Sequence, residues 1–279
     1  MIKKEKLLLS ARKLCDAGVK LLYPPRCPCC DQIRPLRGLV RPSRDIRPVT
    51  DAALAWVCED CRGKLPWVTE PACMKCGKPT GNSRLEFCRD CARMDHLFDC
   101  GRAAFAYTGQ IRRSVYRMKF QNRRDYLDFF AEAMTAVGEP YLRLWRPERI
   151  VPIPMHVRKR AARGYNQAEL LAEKISRLTG IPCDKKLLQC VRYTDSQKEL
   201  GRSGRLKNLR GSFEARPPED LAYPGYSGYL GQPGYLPESV LLVDDVYTTG
   251  STMDEAARAL KAAGVRRVFF LVLCTGNRT

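Results

Sequence analysis

The 279-residue chain carries 49 Lys+Arg against 30 Asp+Glu, a formal net charge of +19, together with 14 cysteines. That length accommodates one full α/β domain plus a smaller module, and that charge favours polyanionic partners, with nucleic acid and phosphorylated metabolites foremost. The ~20 apolar residues of a membrane span occur nowhere, and Leu7-Leu8-Leu9 is too short for a secretory core of ~7–15 residues, so a cytoplasmic protein with reduced, metal-binding cysteines is expected.

In chain order, residues 5–22 have helical periodicity, with Leu7, Ala11, Leu14, Gly18 and Leu21 on one face and Pro24-Pro25 ending the run. Residues 26–100 are cysteine-rich and lack regular apolar spacing, as a small module organised by metal would. From Gly101 the texture changes. A strand is predicted over 102–107, helices over 109–120 and 126–144, and a short strand over 149–154 that prolines end. A helix over 166–178 aligns Ala168, Leu171, Ile175 and Leu178. The apolar run 240–243 reads as a strand buried on both faces, 253–263 as a helix closed by Gly264, and 267–274 as the last buried strand. Such alternation predicts a parallel sheet covered by helices on both sides. A repeated Pro-Gly-Tyr tract over 223–235 interrupts the pattern and reads as a surface insertion.

Four Cys-x-x-Cys pairs stand in succession: Cys27/Cys30, Cys58/Cys61, Cys73/Cys76 and Cys88/Cys91. A two-residue spacer lets one tight knuckle present two thiolates to one ion, and two knuckles complete a tetrahedral zinc site. Four pairs predict two structural zinc ions. Sequential pairing is the simplest arrangement, although spacing alone also permits an interleaved one. Cys29 is a spare thiol inside the first knuckle, and His96 and His156 lie outside all four and read as surface or core histidines.

The segment 240–252, Val-Leu-Leu-Val-Asp-Asp-Val-Tyr-Thr-Thr-Gly-Ser-Thr, carries the most chemistry. A buried strand delivers Asp244 and Asp245 to its C-terminal end, where open α/β sheets bind ligands. Thr248, Thr249, Gly250, Ser251 and Thr252 then lead into a helix whose first amides, joined by hydroxyls, make an anion cradle. Paired acids beside such a cradle suit a sugar phosphate with vicinal hydroxyls, and Mg2+ suits the same oxygen ligands. The Gly-Lys-Ser/Thr signature of a nucleotide P-loop is missing.

This loop resembles the phosphoribosyl pyrophosphate (PRPP) loop of type I phosphoribosyltransferases. The wider chain is similar to the ComF family, which joins such a domain to a double zinc ribbon. The similarity includes Pro24-Pro25-Arg26-Cys27, Met118-Lys119-Phe120, Val151-Pro-Ile-Pro154 and Arg163-Gly-Tyr-Asn-Gln167, then the spaced Arg192, Thr194, Gln197 and Leu200, and finally Arg205, Asn208 and Phe213. It implies a type I phosphoribosyltransferase-like α/β fold, with a parallel sheet flanked by helices and preceded by a small double zinc ribbon. The divisions implied are an N-terminal helix at 1–25, the ribbon at 26–100 and the phosphoribosyltransferase-like domain at 101–279, with an insertion at 223–237.

The resemblance further implies that Asp244 and Asp245 face ribose hydroxyls and that Thr248, Thr249, Gly250, Ser251 and Thr252 hold a 5-phosphate. Arg158, Arg160 and Arg163, in the loop after Pro154, would meet a pyrophosphate, with Lys119 reaching the same place. In relatives acting on 6-oxopurines an aspartate follows the paired acids by three positions. Here that position is Thr248, which argues against a purine-salvage enzyme of that kind. The implied role is DNA handling during natural transformation. The partners would be PRPP or a phosphorylated nucleotide, single-stranded DNA, and a DNA-uptake helicase or other competence proteins. An active phosphoribosyltransferase of nucleotide metabolism, using Mg2+ with PRPP, is the alternative; a pure interaction module is a third reading.

Overall fold

The computed structural model describes residues 24–34, 52–193, 209–216 and 236–276. The helix expected over 5–22 and most of the Tyr-rich insertion lie outside the described residues. Among these residues the strands are β1 (Cys100–Ala106), β2 (Arg149–Pro152), β3 (Leu188–Cys190), β4 (Phe213–Ala215), β5 (Ser239–Tyr247) and β6 (Arg267–Thr275). The α-helices are α1 (Glu59–Arg62), α2 (Gly109–Phe120), α3 (Leu127–Trp145), α4 (Val157–Arg163), α5 (Gln167–Thr179) and α6 (Ser251–Ala262).

The main sheet is parallel throughout, in the order β1-β6-β5-β2, and β3 pairs with β4 in a separate antiparallel ribbon. The two strands with unbroken apolar runs, β5 and β6, take the central places, where both faces are covered. Successive residues of β5 point to opposite faces. Leu241 and Val243 pack with Phe130 and Met134 of α3 and Leu171 and Ile175 of α5. Val240 and Leu242 pack with Met253, Ala256 and Leu260 of α6. Each such fully buried Leu, Phe or Met contributes about 1.5–3 kcal/mol.

Both sheet edges are covered, as exposed strand edges otherwise invite unwanted pairing. The cysteine-rich segment lies along β1: Val68 N donates to Ala104 O at 3.0 Å and Ala106 N to Pro66 O at 2.8 Å. On β2, which tolerates Pro152 because it is an outer strand, Ile150 N donates to Pro182 O and Asp184 N to Ile150 O, both at 2.8 Å.

Two features depart from the sequence expectation. The segment after Pro154, expected as a loop, is the helix α4. It has no buried residue, so it has no apolar stripe for periodicity to detect, and His156 starts it by accepting from Arg158 N. The ribbon of β3 and β4 has three residues per strand, too few for an alternating pattern. The remaining elements fall within a few residues of their predicted bounds. Helix α6 starts earlier than 253, directly after Gly250.

Candidate functional site

The paired acids sit at the C-terminal end of β5, beside Val272 of β6. Asp245 is buried, with 4% exposure, and its Oδ2 has two partners. Lys119 Nζ at the end of α2 lies 2.7 Å from Asp245 Oδ2, and Gln167 Nε2 donates to the same oxygen at 2.7 Å. Gln167 is held in turn by Arg163, whose Nη1 donates to Gln167 Oε1 at 2.8 Å. Burial works against the Lys119 charge, but the adjacent Asp245 carboxylate outweighs it and the ammonium's pKa is raised. Asp244 is different. Burial and the neighbouring Asp245 charge push its pKa up to about 7, against the pull of the Asp245 amide, Lys119 and Arg163. Asp245 is therefore paired directly with a cation, whereas Asp244 accepts from the Asp245 amide at 2.8 Å and keeps a raised pKa.

The run Arg163-Gly-Tyr-Asn-Gln167 explains how this network is held. Gly164, at φ 83°, closes α4 in a left-handed conformation that suits glycine. The Tyr165 hydroxyl donates to Met118 O, tying the turn to the end of α2 next to Lys119. Asn166 caps α5 by accepting from Ala168 N at 3.0 Å, while its Nδ2 donates to Ile153 O at 3.0 Å. Gln167 reaches Asp245.

After β5 the chain turns through Thr248, which is exposed, and Thr249, which is buried and shares a 2.9 Å hydrogen bond with Ser251 between their hydroxyls. Gly250 adopts φ 87° at the N-cap of α6, a conformation costly for residues with a side chain. The first backbone bond into α6 runs from Asp254 N to Gly250 O at 2.8 Å, and amides ahead of it face the loop with the positive end of the helix dipole. Thr252 is partly exposed.

Of the three arginines singled out in the sequence, the structure brings Arg163 to the acids. Arg160 instead pairs with Glu169 at 2.9 Å, and the Arg158 guanidinium lies 5.6 Å from the centroid of the Tyr193 ring. Gln167 belongs to the quoted motif but carried no assigned role in the sequence. Its contact with Asp245 spans 78 residues, so no local pattern announces it.

The cysteines assemble into two tetrads with sequential pairing. The sulfurs of Cys27, Cys30, Cys58 and Cys61 lie within 4.8 Å of one another, as do those of Cys73, Cys76, Cys88 and Cys91. The Cys30–Cys58 and Cys76–Cys88 sulfur separations are 3.7 and 3.6 Å, close to the ~3.8 Å edge of a tetrahedron with ~2.3 Å zinc–sulfur bonds. The residues therefore fit zinc, and four thiolates per ion leave no open position for catalysis. Cys29 stays outside the tetrad and is buried in the core.

The first tetrad is anchored to α2, the helix that carries Lys119, and the second packs against the core beside α6. Asp31, just after the first knuckle, pairs with Arg123 at 2.5 Å, accepts from the Tyr126 hydroxyl and faces Arg117 of α2 at 3.9 Å. Burial raises the Asp31 pKa, but the Tyr126 hydrogen bond and the charges of Arg123, Arg117 and Arg26 together hold it below the usual carboxylate range. Ser114 of α2 also donates to Pro28 O. The second tetrad packs its Cys73 and Cys76 against the core beneath α6.

The sequence matches the phosphoribosyl transferase domain over residues 164–279 and the double zinc ribbon domain over residues 47–92. It is 28% identical to Competence protein F of Haemophilus influenzae over 76% of this chain and 93% of that protein. It is also 28% identical to Competence protein ComFC of Bacillus subtilis, over 75% of this chain and 79% of that one. Identity to the DNA utilization protein YhgH of Escherichia coli K12 is 26%, over 78% and 89%. The parallel sheet, the thiolate tetrads and the two domain matches thus define a phosphoribosyltransferase-type α/β protein bearing a double zinc ribbon. Over most of its length the chain is similar to proteins named Competence protein F, ComFC and YhgH. Among the described residues no helix is long and apolar enough to cross a membrane.

Proposed function

We propose that the chain binds PRPP or a phosphorylated nucleotide at the end of β5 and handles single-stranded DNA during natural transformation, in the cytoplasm. One observation carries the reading. Asp244, whose pKa burial and the Asp245 charge raise, and Asp245, held by Lys119 and Gln167, stand together directly before a loop whose Gly250 opens the N-terminus of α6. In this reading Asp244 and Asp245 face the ribose hydroxyls, with Mg2+ beside the acids, and residues 248–252 hold the 5-phosphate through amides and hydroxyls. Arg163 and Lys119 provide positive charge toward the pyrophosphate, with Arg158 and Arg160 further out on α4.

The nucleic-acid half rests on the names of the relatives, two of them competence proteins and one a DNA utilization protein, and on the +19 charge. Such binding is electrostatic, so affinity for a single-stranded oligonucleotide should fall steeply between low and moderate salt. A mobility-shift titration at two salt concentrations checks it, and absence of a shift at both contradicts it. For the ligand half, PRPP with Mg2+ should raise the melting temperature of the wild type and leave Asp244→Asn/Asp245→Asn unmoved. Equal shifts in both proteins would remove the acids from the site.

A further inference from the structure

The second thiolate tetrad and the loop at residues 248–252 border one buried cluster, and His96 bridges that cluster, through Phe98, to Asp254 of α6. Its side chain is fully buried and its Nδ1 lies 2.8 Å from Asp254 Oδ2. The other oxygen of the same carboxylate accepts from Leu97 N at 2.9 Å. Asp254 sits in the first turn of α6, and its amide makes the bond to Gly250 O. An acidic side chain there would ordinarily compete with an incoming anion for the positive end of the helix. Here both of its oxygens are turned to the ribbon segment and engaged.

His96 also forms the floor of the loop. A Cβ on Gly250 would come within 2.8 Å of the Tyr247 hydroxyl and 2.9 Å of His96 Cε1. The imidazole stacks on Phe98 at 4.7 Å, and Phe98 meets Tyr247 and Phe270 edge-on. The knuckle closes on the same rings: Lys78, paired with Asp90 at 2.8 Å, lies 5.4 Å from the Tyr247 ring centroid. Cys73 and Cys76 share the buried cluster with Phe98, Tyr247 and Met253.

We propose that His96 is a positioning residue for the phosphate loop, and that zinc held by Cys73, Cys76, Cys88 and Cys91 is thereby linked to ligand affinity at residues 248–252. This inference rests on the phosphoribosyl reading above. Linkage between two sites is reciprocal: if the zinc-bound knuckle favours the loop that grips phosphate, bound phosphate favours retention of zinc. A histidine that merely filled the core would affect overall stability without this reciprocity.

The test uses the full-length, zinc-loaded protein with ribose 5-phosphate as the probe. Calorimetric titration is run on wild type, His96→Ala, His96→Asn and Asp254→Asn, and zinc release to a chromogenic chelator is timed with and without the probe. Removing the hydrogen bond to the Asp254 carboxylate should weaken binding by about tenfold in His96→Ala and Asp254→Asn. His96→Asn keeps a donor near Nδ1 and should recover most of the affinity. The probe should slow zinc release from the wild type and not from His96→Ala. If His96→Ala does not fold, Asp254→Asn, which preserves shape, decides the matter. Wild-type affinity in both variants, with an unchanged probe effect on zinc release, overturns the positioning role and leaves the phosphoribosyl reading standing. No heat with the wild type overturns that reading first, and this inference with it.

Discussion

Lys119, the penultimate residue of α2, lies 2.7 Å from Asp245 at the end of β5, so a helix early in the domain and a strand near its end meet in a largely buried ion pair. Removing one member of such a pair leaves the other charged and without its main partner. Lys119→Met should cost about 3 kcal/mol of folding stability, and adding Asp245→Asn should restore part of it. Equilibrium urea unfolding of the two variants measures both effects.

Asp244 gives a pH signature. Its folded pKa of about 7 lies above the ordinary 3.8, so folding favours the protonated acid. The stability from that preference is complete below about pH 4 and is lost as pH rises through 7. Asp244→Asn cannot lose it. The variant's stability relative to wild type should therefore grow by about 1–3 kcal/mol between pH 5 and pH 8, as read by urea unfolding at the two pH values.

The arginines of α4 should separate. Arg163 holds Gln167 against the acids, whereas Arg160 is 54% exposed in its side chain and pairs with Glu169. Arg163→Ala should weaken PRPP binding about tenfold or more through loss of a charge-assisted contact, and Arg160→Ala by less than about twofold. Titration calorimetry of each with PRPP and Mg2+ distinguishes them.

Much of this arrangement was legible in the sequence because local chemistry dictates it. The apolar run of β5 and the Asp-Asp and Thr-Thr-Gly-Ser-Thr that follow are contiguous, and four knuckles with fixed spacing specify two tetrads. What escaped depends on distant contacts or on surface elements. Helix α4 buries nothing, so periodicity is silent over it. Gln167 and His96 acquire their roles only when residues 78 and 158 positions away fold beside them. The same holds for Asp31, which joins a zinc knuckle to residues 92 and 95 positions later.

The tetrads should behave independently in metal content. Cys30→Ser and Cys76→Ser each remove one of four thiolates and should each lower bound zinc from two ions per chain to about one. Elemental analysis of the purified variants reports the count. The Cys76 variant should also lose loop integrity, seen as faster hydrogen exchange over 246–254, because that knuckle packs beneath α6.

The most direct measurement is diffraction from crystals of the full-length protein soaked with PRPP and Mg2+. The expected result is density for a ribose with its hydroxyls on Asp244 and Asp245 and its 5-phosphate against the amides of residues 248–252. A soak at saturating ligand that leaves this turn empty, or that places the sugar phosphate elsewhere on the molecule, would contradict the assignment.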